Sequence, residues 1–249
     1  MKTLLCELHA HTTWSDGELS LHELVELYGR AGFDVLCVTD HTHPVDDPWA
    51  HLGVRPEQLA MYFEQVEAEA ELAWSRHGLL LLPGLELTVN APTPDAAAHA
   101  VAVGLRTPVT LEDGIEQAMA TARDAGAAIV AAHPSGPEGA SSGATRRFWR
   151  ELDRFAALVD RWELINGHTV FPWVAESRLP VVATGDFHRA EHLATWKTLL
   201  PCEHDERAIV DHLRSPAHVH LAVFDPIDDP AAATRTTTAA SARRELAPR

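Results

Sequence analysis

Lysine is almost missing from this chain: Lys2 and Lys197 are the only two among 249 residues. Basic residues of either kind are outnumbered 20 to 36 by acidic ones, for a formal net charge of −16. Such a surface repels duplex phosphate backbones, so non-specific nucleic-acid binding is not expected. A small anionic substrate stays open, because bound metal ions can reverse the local sign. Cysteine is scarce as well. Cys6, Cys37 and Cys202 are odd in number and far apart, which argues for reduced core residues and against a disulfide framework or zinc ribbon. No apolar run approaches the roughly 18 residues of a membrane span. The N-terminal segment reaches Glu7 too soon for the apolar region of a signal peptide, so a cytoplasmic chain is expected. No G-x-G-x-x-G or Walker-type loop follows any apolar run, which weakens a doubly wound nucleotide-binding sheet. Internal repeats are also missing.

What is present is an alternation of short apolar runs with amphipathic stretches. Strands are expected at Thr3–Leu8, Asp34–Thr39, Leu79–Leu82, Ala100–Leu105, Ala127–Ala132, Val159–Ile165, Pro180–Thr184 and near Val219–Val223. Ser20-Leu21-His22-Glu23 is a capping box, and Gly32 ends the helix it starts. Pro56 suits the first turn of a longer helix. Thr110 and Asp205 are expected to cap two more, and Phe148, Leu152 and Phe155 mark another. Strands alternating with helices imply parallel βα units. About seven of them suggest a barrel more than an open sheet. The length of 249 residues suits one α/β domain, taken as residues 1–227. Residues 228–249 are Pro/Ala/Thr/Arg-rich without apolar periodicity and are expected to be a disordered tail.

Histidine is abundant, at 16 residues, and polar residues follow the expected strands with regularity. His9, His11 and Asp16 come after the first strand, and Thr39-Asp40-His41 ends the second. Glu86 follows the third, His99 precedes the fourth, and His133 ends the fifth. Asp186 and His188 follow the strand after Pro180. Residues two apart on extended chain point to one side, so His9/His11 and Asp186/His188 are the strongest pairs. Imidazole and carboxylate are the donors that first-row metals accept. Nine donors exceed the four that serve one ion, which points to two or three divalent ions, with Zn, Mn or Fe as candidates. His99 has the weakest spacing, since it opens a strand.

These motifs resemble the PHP (polymerase and histidinol phosphatase) family. The matching residues are His9-Ala10-His11-Thr12 with Ser15-Asp16-Gly17, Thr39-Asp40-His41, Pro83-Gly84-Leu85-Glu86, His99, Ala132-His133-Pro134 and Gly185-Asp186-Phe187-His188, over about residues 3–225. The resemblance implies a distorted (β/α)7 barrel with a trinuclear metal site of the stand-alone phosphoesterase type. Carried over, His9, His11, Glu86 and Asp186 surround one metal. Glu86 bridges to a second, held also by His99 and His133. Asp16, His41 and His188 hold the third. The stretch from Glu86 to His99 is too short for the inserted domain of some nucleotide-hydrolysing relatives.

The expected activity is hydrolysis of a small phosphate monoester (a sugar phosphate, a histidinol phosphate-like ester or a nucleotide) by a hydroxide bridging two ions. Asp40 is expected to fix a ligand histidine, and Arg189 to bind a phosphate oxygen. Arg146 and Arg147 are weaker phosphate candidates. His43 and His168 are weak candidates for protonating a leaving group, and Trp14, Trp49, Trp162, Trp173 and Trp196 could line a pocket, with buried packing as the default. Three other readings stand beside this one. An amidohydrolase would want a carbamylated lysine bridge, for which Lys2 and Lys197 are badly placed. An exonuclease on short oligonucleotides would want a basic–aromatic groove. A non-catalytic metal-binding domain would tolerate lost ligands. Oligomeric state is left open.

Overall fold

In the computed structural model, residues 2–137 and 145–226 are described. The expected tail, 228–249, lies outside them. The chain runs β1 (Leu4–Glu7), α1 (Leu21–Ala31), β2 (Val35–Val38), β3 (His41–Thr42), α2 (Leu59–His77), β4 (Leu80–Val89), β5 (Ala98–Val103), α3 (Ile115–Asp124), β6 (Ala128–Ala131), α4 (Arg147–Arg150), α5 (Leu152–Phe155), β7 (Arg161–Asn166), β8 (Thr169–Val170), α6 (Pro172–Glu176), β9 (Val181–Thr184), β10 (Trp196–Leu200), α7 (Glu206–Arg214) and β11 (His220–Val223).

The strands form one curled mixed sheet in the order β11-β10-β1-β2-β4-β5-β6-β7-β8, with β3 on β4 and β9 on β7. Beyond the strand ends, a parallel bridge joins Ala10 to Phe187 and so brings the far side of β9 back beside β1. The expected parallel units hold for β1–β2–β4 and for β6–β7–β9. They fail at β5, which runs antiparallel to both neighbours. No helix separates β4 from β5, so the chain returns directly and the strand must reverse. β10 was not expected. It lies antiparallel to β1 with Lys197 as its second residue, and a lysine there hides the strand signal.

Strand residues alternate between two apolar layers. Leu36, Val38, Ile129 and Ala131 join the cluster that holds Leu24, Tyr62 and Met119 of the helices. Val35, Cys37, Val130 and Val182 fill the other, to which α7 adds Ile209, Val210 and Leu213. Burial on both faces explains why these strands read as continuous apolar runs. All three cysteines are free and buried. The Ser20–Glu23 capping box forms, Gly32 closes α1 at φ 84°, and Asp205 caps α7 through Ala208 N. Thr110 does not cap α3, whose N-cap is Gly114. Pro56 starts a short 3-10 turn ahead of α2, and Phe148 and Leu152 sit on two short helices instead of one.

Candidate metal centre

The site lies where β1, β2, β4, β6 and β9 end. Extended chain continues past β1 and β9, where His11 N donates to Phe187 O at 2.8 Å and Phe187 N to His9 O at 3.1 Å. Ala10 and Phe187 are buried in the helix-facing apolar layer, so the alternate residues His9, His11, Asp186 and His188 share the opposite side. His99 reaches the same rim because β5 is reversed: it pairs with Thr88, two residues past Glu86. A strand's beginning there does the work of a strand's end.

Glu86 is at the centre and fully buried. Its Oε2 lies 3.3 Å from His9 Nε2, 3.4 Å from His11 Nε2 and 2.8 Å from His41 Nδ1. Its Oε1 lies 3.1 Å from His99 Nδ1 and 3.2 Å from His133 Nε2. The two oxygens of one carboxylate thus face two different histidine sets. Asp186 Oδ1 is 3.4 Å from His9 Nε2 and 3.3 Å from His11 Nε2. Asp16 Oδ1 is 3.3 Å from His188 Nε2 and 3.5 Å from His41 Nε2. Donor atoms converge in three groups: His11, Asp16, His41 and His188; His9, His11 and Asp186; and Glu86, His99 and His133. All nine expected donors are brought together, with His11 shared between two groups.

Four of these buried atoms have no hydrogen-bond partner: His9 Nε2, His11 Nε2, Glu86 Oε2 and Asp186 Oδ1. Leaving such groups unpaired is costly, and a cation among them would satisfy all four. Imidazole and carboxylate suit divalent first-row ions, so the donor set fits the metals. Two of the donors, His133 at φ 31° and Asp186 at φ 48°, sit in left-handed backbone, a strain that collects at functional sites.

The electrostatics are those of a tight mixed-charge cluster. Burial pushes the Glu86 carboxyl up, but His41 and His9 outweigh it and hold the group well below the usual range. Asp186 is likewise held low by His9, His11 and His133 against burial. His11 falls to about 3, through burial and then the positive rings of His41 and His188. His188 rises to about 9, because Asp16 and Asp186 outweigh burial.

Beneath the donors lies a layer that sequence reasoning missed. Glu163, buried on β7, accepts from His9 Nδ1 at 2.8 Å, Thr184 Oγ1 at 2.6 Å, Asn166 Nδ2 at 2.8 Å and His133 N at 2.6 Å. It fixes the ring of one donor and the backbone of another. Glu7 forms a buried ion pair with Lys197 at 2.6 Å. It also accepts from Leu8 N, His9 N, Gly185 N and Tyr28 Oη. Gly185 is required there, because a Cβ would land on Glu7 Oε2 and Lys197 Nζ. The only hint in the sequence is a charge inside an apolar strand.

Asp40 departs from expectation. It accepts from Thr12 N, Thr12 Oγ1 and Ser15 Oγ, and so holds the turn after His11 without bonding a donor histidine. Only Ser15, 3.4 Å from His11 Nδ1, links the two. The Arg189 side chain is 58% exposed and lies 4.0 Å from Glu191. Arg146 lies against Asp95, and Arg147 against Glu116 and Glu151. His168 is exposed. Trp162 and Trp173 are buried as expected, but Trp49 is 53% exposed.

No protein-family model matches the chain. A two-domain protein from Bacteroides vulgatus, described as containing a predicted PHP-like metal-dependent phosphoesterase, superposes with a TM-score of 0.66 at 21% identity, over 89% of this chain and 65% of that one. The fold is PHP-like. An amidohydrolase from Chromobacterium violaceum superposes with a TM-score of 0.53 at 16% identity, over 90% of this chain and 99% of that one. In sequence, 83 residues are 29% identical to the DNA polymerase/3′-5′ exonuclease PolX of Bacillus subtilis, covering 33% of this chain and 14% of the polymerase. The chain therefore spans less than two thirds of the Bacteroides protein and a small part of the polymerase. No helix among the described residues is long and apolar enough to cross a membrane.

Proposed function

We propose that the chain is a metal-dependent phosphoesterase of the PHP family, with the sheet acting as a distorted seven-stranded barrel and the nine donors holding two or three divalent ions. The observation that carries this reading is Glu86, whose two oxygens face separate histidine sets amid four buried atoms without partners. A carboxylate in that position would be able to hold two ions. Bound divalent ions supply Lewis acidity and lower the pKa of coordinated water from about 15.7 toward about 7.

The chain's own part is positioning. Glu163 sets the His9 tautomer by accepting at Nδ1, so Nε2 faces the cluster. Asp16 stands at the open rim, with His41 and His188 beside it. Among the described residues no lysine or arginine lines the adjoining cleft, so charge complementarity to a phosphate would fall to the metals. That favours a small ester over a polynucleotide strand, which would need a basic track. The amide-hydrolysing alternative loses support because Lys197 is committed to Glu7 and Thr195.

The test is elemental analysis of protein purified without added metal, followed by phosphate release from sugar phosphates, histidinol phosphate, mononucleotides and nucleoside bisphosphates with and without chelator. Two or three ions per chain and chelator-sensitive release are expected. One ion or none, with His9→Ala no different from the parent, overturns the reading.

A further inference from the structure

Beside Asp16, His41 and His99 opens a cleft of about 570 Å³, a size that suits a small organic ligand. Trp49, Leu52, Pro92 and Pro94 are among the residues that line it. Trp49 is 53% exposed, and its ring stacks on His51 at 24°, with centroids 6.4 Å apart. A large aromatic face is therefore held in place but left uncovered. Flat apolar surfaces of this kind admit a ring.

His43 lines the same cleft. Its side chain is only 4% exposed, yet neither ring nitrogen has a hydrogen-bond partner. Asp47, at 3.9 Å, is too far to supply one. The ring cannot easily turn aside, since it packs so closely on Gly53 that a Cβ there would lie 2.7 Å from it. A buried imidazole without partners is a recognition group waiting for one.

Charge narrows the ligand further. Among the described residues no lysine or arginine lines the cleft, and the nearby Arg146, Arg147 and Arg150 lie against Asp95, Glu116 or Glu151. A second phosphate on the leaving group would meet no lysine or arginine here, within a protein of net charge −16.

We propose that this cleft is the alcohol subsite of the phosphoesterase, and that it selects monoesters of a neutral, flat-ringed alcohol whose ring lies against Trp49 and whose polar ring atom meets His43. The proposal rests on the phosphoesterase reading. In the reaction, water's oxygen forms a bond to phosphorus, the ester P–O bond breaks, and one water proton ends on the departing alcohol. The products are inorganic phosphate and the ring alcohol, with no oxidant or co-substrate.

The test compares benzyl phosphate with ethyl phosphate on the metal-loaded protein. Their leaving alcohols are of similar acidity, so the ring is the main difference. Benzyl phosphate is expected to have a kcat/KM at least about tenfold higher, carried by KM. Trp49→Ala should bring that ratio close to one, and Trp49→Phe should restore most of it. A 3-pyridylmethyl ester should outperform benzyl phosphate about fivefold, and that gain should vanish in His43→Ala and persist in part in His43→Gln. Equal use of the benzyl and ethyl esters, or a ring preference that survives Trp49→Ala, overturns the proposal. Calorimetry with benzylphosphonate and ethylphosphonate, which cannot be hydrolysed, reads the subsite without turnover. If no ester releases phosphate but the benzyl compound binds more tightly in a Trp49-dependent way, the subsite stands and the phosphoesterase reading falls. If the two phosphonates bind alike, the subsite falls.

Discussion

At the rim of the site, His9 Nε2, His11 Nε2, Glu86 Oε2 and Asp186 Oδ1 crowd together with no hydrogen bond among them. One layer below, Glu7 and Glu163 are as deeply buried, yet each is met by several donors. Both layers put carboxylates in a low dielectric, where an isolated charge is prohibitive. The lower layer solves the problem with the protein's own lysine, tyrosine and amides. The upper layer leaves it for a cation to solve. Layers complete in themselves give shape, and layers left incomplete give binding.

Removing the shared carboxylate should break this contrast most strongly. Glu86→Gln is expected to lose at least one ion outright and to cut phosphate release by about 100-fold or more, as read by elemental analysis and a phosphate assay. Retention of every ion by the variant would show that Glu86 does not bridge. Next comes the lower layer. Lys197→Met strands the Glu7 charge and should cost about 3 kcal/mol of stability, measured by denaturant unfolding in chelator. The double change Glu7→Gln with Lys197→Met should recover much of it, and no recovery would mean that the pair is not what holds this layer. A smaller effect joins the layers: Glu163→Gln should weaken Co²⁺ binding about tenfold while the chelated protein unfolds near its normal midpoint.

The mildest effect is one of pH. His188 is held up to about 9, above its ordinary 6.5, by Asp16 and Asp186 acting against burial. Its contribution to the stability of the chelated protein is therefore full below about 6.5 and lost as pH rises through about 9. Because ligands must shed protons, metal uptake at pH 7 should release protons into the buffer, and affinity should climb toward pH 9. Calorimetry in two buffers of different ionisation enthalpy reads this. Uptake without proton release would place His188 outside the metal set.

The donors were legible in the sequence because each stands beside an apolar run, where strand periodicity fixes which way it faces. His11 and Asp186 could be paired with neighbours two residues away without any structure. His99 was ambiguous because periodicity carries no direction, and only the reversal of β5 puts it on the rim. Glu163 and Lys197 were invisible for the opposite reason. A charge inside a strand argues locally against burial, and what makes it tolerable lies far away in sequence. Asp40 was read as steadying a histidine through adjacency, whereas its bonds go to Thr12 and Ser15, brought near by the β1–β2 pairing. The alternating pattern gave the parallel units but could not foresee the direct return from β4 to β5.

The Ala10–Phe187 bridge, finally, has a meaning for chain entropy. Glu7 and Gly185, which bond just beneath it, are 178 residues apart. Bringing ends so distant together is among the most expensive closures in the molecule, and it contributes only after most of the intervening chain is ordered. Four of the nine donors straddle this seam, so ions bound there would clasp the chain beyond β1 to the chain beyond β9 like a buckle. Metal depletion should then show itself first as opening along that seam, with hydrogen exchange quickening at residues 9–11 and 185–188 before it does in β4 or β6.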